Sequence, residues 1–232
     1  HMRMKKLLVI YLLFFGTVAQ AQFHELGVFL GSSNYRGDVG NSMLVMPSSY
    51  GLGVVYRWNI TTRYALRAGL NYGKIKGIDY RANDLGRFLR GYSFENTLGE
   101  LFLGGEMNFV DVTLDAGDSL FTPYLTVGAC FVDFDAFYFA GPPPAASVQY
   151  DAQQSFALPV IVGAKFNPNP LWVIGFEVGL RYALTDNLDG STPIEEFEFA
   201  KFGNLHNNDW YIFSGITISF TFGDLPCYCK EN

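Results

Sequence analysis

Apolar residues alternate with polar or small residues in eight stretches of the chain, each roughly ten residues long. Because successive side chains of a β-strand point to opposite faces, a period of two predicts eight β-strands. The pattern is clearest in 171–182, where one face carries large apolar residues and the other carries Val173, glycines and two charges. We place the strands at 25–32, 50–58, 64–74, 97–109, 121–132, 155–166, 171–182 and 210–222.

The apolar faces of these strands are bulky and aromatic, whereas the opposite faces are rich in glycine. The interior of an eight-stranded barrel is only wide enough to be filled by side chains, so eight bulky faces would not fit inside. A membrane barrel instead turns an uncharged apolar band toward lipid. The pattern therefore predicts an all-β fold, an eight-stranded antiparallel transmembrane β-barrel. Aromatic residues that match its interfacial girdles are Trp58, Tyr64, Phe109, Trp172, Tyr182 and Trp210.

The connections between the strands alternate in length, as they do in outer-membrane barrels with long extracellular loops and short periplasmic turns. An even strand number returns the C-terminus to the side of the N-terminus. We therefore expect a cell outer-membrane protein with both termini in the periplasm, its barrel at 22–222 and a short periplasmic tail at 223–232. The predicted outer loops are 33–49, 75–96, 133–154 and 183–209, and the inner turns are 59–63, 110–120 and 167–170.

Residues 1–21 read as a signal peptide, which is removed before the mature protein folds. Arg3, Lys5 and Lys6 precede an apolar run at 7–15, and Ala-Gln-Ala follows at 19–21. This is the order of a basic region, a hydrophobic region and a cleavage site, so maturation is expected at Gln22. His1 reads as a cloning remnant. Later segments fall short of the ~18 consecutive apolar residues that a transmembrane helix needs.

Composition agrees with a membrane barrel and argues against nucleic-acid binding. Aromatic residues make up 17% of the chain and charged residues only 16%. Of the 16 Lys and Arg, three lie in the predicted signal peptide, which leaves 13 against 22 Asp and Glu, a net charge of −9. Nucleic-acid partners require clustered basic residues, and the chain shows no such cluster.

Eight charged residues fall on the faces that the alternation turns inward. The four acids balance the four bases, as expected of paired interior charges, because an unpaired buried ion is costly. We predict structural ion pairs and no general porin, with a narrow ion path as the alternative. The residues are Glu25, Glu100, Glu106, Glu177, Arg57, Arg67, Lys165 and Arg181.

Two cysteines, Cys227 and Cys229, lie in the predicted tail. They could form disulfides, bind a metal or bond to a partner chain. A Cys-x-Cys pair supplies too few ligands for a closed zinc site. A disulfide between one of these cysteines and a partner chain is therefore one interpretation of the pair. The same alternation turns the side chain of Cys130 toward the lumen, and we interpret it as a small residue that fills buried space.

Catalytic chemistry has weak support in the sequence. A lipid-modifying enzyme would need groups at the outer rim, and the candidates are His206, Asp209 and Ser214. Their spacing does not suit a local triad, so we interpret His206 as a polar loop residue and expect no enzyme. Two further motifs read as turns: Arg-Gly-Asp at 36–38, and the Asx-rich stretch of Asp186, Asn187, Asp189 and Gly190. The latter lacks the spacing of a calcium loop, and we expect no cofactor or metal.

Several segments, taken in order, resemble one family. The resemblance is to the DUF6089 (PorG-like) outer-membrane barrels of the type IX secretion system in Bacteroidetes, and it runs from residue 24 to the C-terminus. The segments are HELGVFLG at 24–31, NYRGDVG at 34–40, LRGYSFENT at 89–97, TDNLDGS at 185–191, FGNL at 202–205, NDWY at 208–211 and PCYC at 226–229.

The resemblance implies a non-enzymatic secretion component that anchors a periplasmic ring, built from a PorK-type lipoprotein and a PorN-type protein, to the outer membrane. Such systems export cargo with a C-terminal sorting domain and support gliding motility in some species. On this topology, the predicted docking residues are Asp111, Asp115, Asp118, Asp224, Cys227, Tyr228 and Cys229. The alternatives are a stand-alone surface binder or adhesin that acts through its loops, a lipid-modifying enzyme, and a narrow channel.

Overall fold

The computed structural model describes residues 23–40, 48–111, 120–141, 144–145, 147–204 and 208–223. The predicted signal peptide and nearly all of the predicted tail lie outside these ranges. The described residues form eight strands. They are β1 (Phe23–Arg36), β2 (Ser49–Asn59), β3 (Tyr64–Ile78), β4 (Ser93–Asn108), β5 (Leu120–Phe139), β6 (Ser147–Asn169), β7 (Trp172–Ala183) and β8 (Trp210–Gly223).

Each strand pairs antiparallel with its neighbour in the chain, and β1 pairs with β8 to close the barrel. The closing register runs from Phe23 opposite Gly223 to Arg36 opposite Trp210. Closure satisfies the backbone groups that an open sheet edge would leave unpaired, which is the condition for a sheet in lipid. The predicted eight-stranded antiparallel barrel is confirmed. We call the end that holds Phe23 and Gly223 the termini end, and the opposite end the loop end.

The outward-facing side chains form an uncharged apolar band around the barrel. On β3 the band runs from Tyr64 to Tyr72, and on β6 it runs from Phe166 to Phe156, with exposed apolar side chains along both. About 9–11 residues of a tilted strand are enough to cross the hydrocarbon core. Such an exterior suits lipid rather than water, so the molecule is a membrane-embedded β-barrel of the outer-membrane type.

Past this band, several strands continue well beyond their predicted ends at the loop end. β5 reaches Phe139 and β6 begins at Ser147, so much of the predicted loop 133–154 is strand. The prediction ended these strands where outward-facing polar residues, such as Asp133 and Gln154, interrupt the apolar pattern. Those residues mark where the barrel leaves the lipid, whereas backbone pairing continues into the polar region.

Three short helices lie in the described parts of the connections at the loop end. They are a 3₁₀ helix (Asp79–Arg81), α1 (Leu85–Arg90) and a second 3₁₀ helix (Glu195–Ala200). Asp84 caps α1 because its side chain accepts a hydrogen bond from the backbone N–H of Arg87, and Gly91 ends the helix with a φ of 65°. None of the helices in the described part of the chain is long and apolar enough to cross a membrane.

The interior has a charged part toward the termini end and an aromatic core toward the loop end. Glycines make room for the large rings of this core: a Cβ on Gly51 or Gly73 would lie 2.7 Å from the ring of Phe213. The sequence pattern predicted small side chains and paired charges inside, and it missed this core. Its buried rings include Phe29, Phe94, Phe102, Phe134, Phe137, Tyr211 and Phe213.

Candidate functional site

Glu106 on β4 lies at the centre of a group of ion pairs in the lumen. Its Oε2 is 3.1 Å from Arg57 Nε and 3.6 Å from Arg67 Nη1. Its Oε1 forms an ion pair with Lys165 Nζ. The Thr126 hydroxyl also donates a hydrogen bond to Oε2 over 3.2 Å. Three cations thus share one carboxylate, so further acids are needed to balance them.

Glu25 and Glu177 supply that balance from the first and seventh strands. Glu25 Oε2 lies 3.2 Å from Arg57 Nη1. Glu177 Oε1 lies 2.7 Å from Arg67 Nη2, and its Oε2 accepts a 2.5 Å hydrogen bond from the hydroxyl of Tyr124. The resulting group contains three acids and three bases and joins residues that are far apart in the chain.

A second pair, Glu100 and Arg181, lies closer to the aromatic core. Arg181 Nε is 3.1 Å from Glu100 Oε2. The carboxylate also accepts hydrogen bonds of 2.7 Å from Asn71 Nδ2 and 2.7 Å from the Tyr211 hydroxyl. The guanidinium of Arg181 lies over the ring of Phe213, 4.9 Å from its centroid. The pair is therefore packed between the polar and the aromatic parts of the interior.

All eight of these charged side chains are buried. Their charges cancel, and together with Tyr124 and the aromatic core they occupy a lumen that side chains are just able to fill. A conducting pore needs water along its axis, whereas these groups are directly paired with each other. The lumen therefore has the properties of a structural core.

A buried polar cap covers the aromatic core at the loop end. Arg90 Nε lies 2.8 Å from Asp79 Oδ2, and Arg90 Nη2 donates a 2.7 Å hydrogen bond to the carbonyl of Asp38. The guanidinium lies over the rings of Tyr92 and Phe202, at 5.0 and 4.8 Å from their centroids. Arg90 thus ties three separate connections together. We use the name loop-end cap for Tyr35, Asp38, Asp79, Arg90, Asn96, Asp186, Leu188, Asp189 and Asp209.

Two buried aspartates fasten the last long connection to β1 and the residues that follow it. Asp209 Oδ1 accepts a 2.6 Å hydrogen bond from the Tyr35 hydroxyl, and its Oδ2 accepts one of 3.0 Å from the backbone N–H of Leu188. Asp189 Oδ2 accepts a hydrogen bond of 3.0 Å from the backbone N–H of Asp38. These bonds join the last long connection to β1 and to the segment after it, whereas the carboxyl oxygens of Asp186 have no hydrogen-bond partner among the described residues.

Three carboxyl groups of the cap have raised pKa values. Burial raises the pKa of Asp186 to about 7, with the neighbouring charges of Asp189 and Asp38 adding to the effect. Burial likewise raises the pKa of Asp189 and Asp209. Among the described residues, no group of three or more His, Cys, Asp or Glu is placed to hold a metal ion. The environment of the cap therefore favours the protonated form of Asp186, Asp189 and Asp209.

Of the predicted docking residues, Asp111 alone lies within the described ranges. It is exposed at the termini end, where its carboxylate forms an ion pair of 2.7 Å with Arg63 Nε and accepts a hydrogen bond from Thr62. This bond joins the first inner turn to the second. The other predicted docking residues, Asp115, Asp118, Asp224, Cys227, Tyr228 and Cys229, lie outside the described residues.

The candidates for a catalytic site do not come together in the described residues. Asp209 is buried in the loop-end cap, whereas Ser214 lies on the outward-facing side of β8. His206 lies outside the described residues. In the Asx-rich stretch, Asp189 Oδ1 accepts a hydrogen bond of 3.0 Å from the backbone N–H of Ser191, which is the geometry of an Asx turn.

The Arg-Gly-Asp stretch at 36–38 also has a structural place. Asp38 Oδ2 accepts a hydrogen bond of 2.8 Å from the backbone N–H of Asn204. A Cβ on Gly37 would lie 2.1 Å from Asp209 Oδ1. Asp38 of the tripeptide is thus part of the cap, and Gly37 packs closely against the side chains of Tyr35 and Asp209.

Analysis of single motifs missed the loop-end cap, because its members are far apart in the sequence. Asn96 illustrates this, since its Nδ2 donates hydrogen bonds to the carbonyls of Leu188 and Asp135, at 2.8 and 3.0 Å. The segments that carry the family resemblance nevertheless contained a signal for the cap. Segments that carry the family resemblance, at 34–40, 89–97, 185–191, 202–205 and 208–211, all contribute residues to the cap or its immediate contacts.

Comparison with solved structures finds several outer-membrane proteins of low sequence identity. The N-terminal β-barrel domain of OprF from Pseudomonas aeruginosa shares 12% identity with a TM-score of 0.45, over 88% of this chain and 98% of that chain. Neisserial surface protein A shares 12% identity with a TM-score of 0.46, over 87% and 97%. The attachment invasion locus protein Ail of Yersinia pestis shares 11% identity with a TM-score of 0.42, over 88% and 99%.

No curated protein matches the sequence. A family description does match it, over residues 4–231, under the heading domain of unknown function, DUF6089. This range includes every strand of the barrel and all the segments that contribute to the loop-end cap. The chain belongs to the DUF6089 family.

Proposed function

We propose that this barrel is a non-enzymatic outer-membrane component of a type IX secretion system, which anchors a PorK/PorN-type periplasmic ring to the outer membrane. In this proposal the termini end faces the periplasm and the loop end faces the outside. The family match and the resemblance to PorG-like proteins support the proposal. The observation that carries it is the lumen of paired, buried charges and packed rings, because such an interior is suited to a structural role and not to the passage of a solute.

The termini end supplies a compact surface for such a partner. The ion pair between Arg63 and Asp111 holds two inner turns against each other at this end. Exposed apolar side chains, Ile60, Phe109 and Val110, lie on the same turns. A lipoprotein held at the inner face of the membrane would meet this surface, and the tail cysteines Cys227 and Cys229 would offer a disulfide to it.

The test is a pull-down from gently solubilised native membranes, with an epitope tag inserted after Gly141 at the loop end. Bound proteins are identified by mass spectrometry, with and without reductant. We expect the PorK-type lipoprotein and the PorN-type ring protein to be recovered with the barrel. The variant Asp111→Ala should reduce that recovery. The matched control Asp151→Ala, at an exposed position on β6 at the loop end, should not.

The disulfide is tested by the same experiment. Loss of the partner under reductant, reproduced by Cys227→Ser with Cys229→Ser, would assign the link to the tail. Recovery of the barrel alone, from membranes that contain both ring proteins, would contradict the anchor function.

A second candidate function is a stand-alone surface binder, and one observation favours it. The short helix α1 turns Leu85 and Leu89 outward, with 70% and 71% of each side chain exposed, beside Phe88. Apolar side chains held outward on a fixed helix are typical of a binding surface. Replacing Leu85 and Leu89 with Ser should abolish surface binding and leave secretion normal if this candidate is correct.

A further inference from the structure

Two lysines on β3 lie on the lipid-facing side of the barrel, just past the apolar band. The outward-facing residues of this strand follow the order Leu70, Tyr72, Lys74 and Lys76 toward the loop end. Tyr72 is the last apolar side chain of the band on this strand, and Lys74 is the next residue on the same face. One step of two residues advances about 6.6 Å along a strand, so the Lys74 ammonium is placed at the level of lipid headgroups.

The two ammonium groups share a single counter-ion. Glu95 on β4 binds Lys74 Nζ through Oε1 at 2.5 Å and Lys76 Nζ through Oε2 at 2.6 Å. The three side chains therefore carry a net positive charge. They are also open to the surroundings, with exposed fractions of 32% for Lys74, 38% for Lys76 and 41% for Glu95.

Two tyrosines complete this surface on its membrane side. Tyr72 precedes Lys74 on the same face of β3, and the register of β2 with β3 places Tyr50 on the adjacent strand beside Lys74. Both rings are about half exposed on the barrel exterior. Tyrosine is enriched at membrane interfaces because its ring is apolar and its hydroxyl is polar. The combination places hydrogen-bonding hydroxyls beside two cations at the edge of the lipid.

The corresponding positions on β5 and β6 have the opposite character. The first polar outward-facing residues past Phe131 and Phe156 are Asp133 and Gln154, and their side chains bind each other over 3.2 Å. An anionic headgroup would be repelled from that side of the barrel. The charge distribution therefore favours one side for an anionic ligand.

We propose that Lys74 and Lys76, together with Tyr50 and Tyr72, bind a phosphate group on the headgroup of an outer-leaflet glycolipid, with Glu95 as the internal ion that the phosphate displaces. The proposal rests on the proposed orientation, in which the loop end faces outward. A phosphate offers several acceptor oxygens to two neighbouring ammonium groups, which a single carboxylate already bridges. The bound lipid would fix the rotational position of the barrel in the membrane.

The test measures binding of diphosphoryl lipid A to the full chain in detergent micelles by native mass spectrometry. The double variant Lys74→Gln with Lys76→Gln should bind about 30-fold more weakly, since each lysine near an anionic lipid surface contributes roughly a fivefold gain. Glu95→Gln should bind more tightly, because it removes the competing carboxylate. The control Lys201→Gln removes an exposed lysine in a distant connection, where it pairs with Glu198, and should bind as the unaltered chain does. All variants should keep the change in gel mobility that a folded barrel shows on heating, which checks that they fold.

Three outcomes of the lipid titrations would overturn the proposal. These are equal binding by the double variant, weaker binding by Glu95→Gln, and equal binding of dephosphorylated lipid A by the unaltered chain. Inorganic phosphate is titrated as a separate arm, and competition by it at the affinity of lipid A would show an anion site without lipid selection, which also contradicts the proposal.

The orientation is tested separately, by labelling Lys76→Cys on intact cells with a membrane-impermeant maleimide. Labelling is expected if the loop end faces outward, and its absence would remove the outer leaflet as the source of the lipid. With the orientation established, failure of ring anchoring would appear only in the pull-down and failure of lipid binding only in the lipid A titration, so the two failures are distinguishable.

Discussion

At the residue scale, the fit between glycines and large rings decides whether this narrow barrel can contain an aromatic core. Phe213 lies on β8 with its ring against Gly51 and Gly73, on strands that are distant from it in the sequence. A close-packed interior tolerates little extra volume, because overpacking forces side chains and backbone to shift. The glycine-rich inner faces are thus a requirement of the rings opposite them.

Replacing Gly73 with Ala should lower the free energy of unfolding by about 1–3 kcal/mol, because the new methyl group would meet the Phe213 ring. Urea unfolding in lipid vesicles, followed by tryptophan fluorescence, measures the change. Gly105→Ala is the matched control, since a Cβ at that position has no atom within 4 Å. Equal stability of the two variants would refute the packing argument.

Glu106 is the residue on which the lumen charges depend most, since it contacts Arg57, Arg67 and Lys165. Glu106→Gln should destabilise the barrel by about 3–5 kcal/mol, because buried cations lose their shared partner. The same unfolding experiment measures it. Adding Lys165→Met to this variant should recover part of the loss, and a double variant no more stable than the single one would count against the shared-partner account.

Alternation along a strand could predict the face on which a lumen charge lies, but not its partner. Parity places both Arg67 and Glu177 inside, yet they are 110 residues apart, and only the closed barrel brings them to 2.7 Å. The rings of Phe29 and Phe213 were hidden for a related reason. A large residue on a glycine-rich inner face departs from the pattern of small inward residues. Its place in the core becomes clear only when the glycines of the strand opposite it are known.

At the scale of elements, the loop ends of the strands differ from their predicted bounds more than the termini ends do. At the termini end, β3 begins at Tyr64 and β8 ends at Gly223, each within one residue of its predicted bound. The reason is that the apolar band and the strand end together there. At the loop end the two signals separate. The band ends near Phe131 on β5, while the hydrogen-bonded ladder continues to Phe139.

The connection that carries Asp186 should respond to pH. Its carboxyl has a pKa of about 7 in the folded cap and an ordinary value of 3.8 without it. The folded state therefore binds the proton more tightly, so this contribution to stability is complete below about pH 4 and is lost as pH rises through about 7. The raised pKa values of Asp189 and Asp209 act in the same direction.

We expect amide hydrogen exchange in 185–191 to be faster at pH 8 than at pH 5.5, after correction for intrinsic rates. Asp186→Asn should remove much of the difference, because the amide cannot ionise. Asp151→Asn, at an exposed position on β6, serves as the control and should leave the difference intact. Exchange in this segment that is independent of pH would show that the carboxyl groups of the cap do not govern its stability.

At the scale of the whole molecule, the charged part of the lumen, the aromatic core and the cap follow one another along the barrel axis. Each contacts the next, since Arg181 lies over Phe213 and the ring of Tyr35 in the cap packs edge-on against Phe94 of the aromatic core, with centroids 5.1 Å apart. The barrel interior is therefore a continuous core of the kind that a soluble domain would have. Such an interior is consistent with the anchoring role proposed above.

Purified barrel should give no steady conductance in planar lipid bilayers at neutral pH. Paired charges and packed rings occupy the axis along which ions would pass. A porin measured in the same chamber provides the positive control. Steady single-channel steps that persist at low protein concentration would contradict a filled lumen.

The eight lumen charges are divided unequally between the two halves of the chain. Strands β1–β4 carry three acids and two bases, a net charge of −1, and β5–β8 carry two bases and one acid, a net charge of +1. Four of the ion pairs cross from one half to the other: Lys165 with Glu106, Arg67 with Glu177, Arg57 with Glu177, and Arg181 with Glu100. A half-inserted chain would thus expose both open strand edges and unbalanced charge to lipid. Assembly of this barrel should accordingly be an all-or-none event, in which the second half of the chain neutralises the first as it closes the ring.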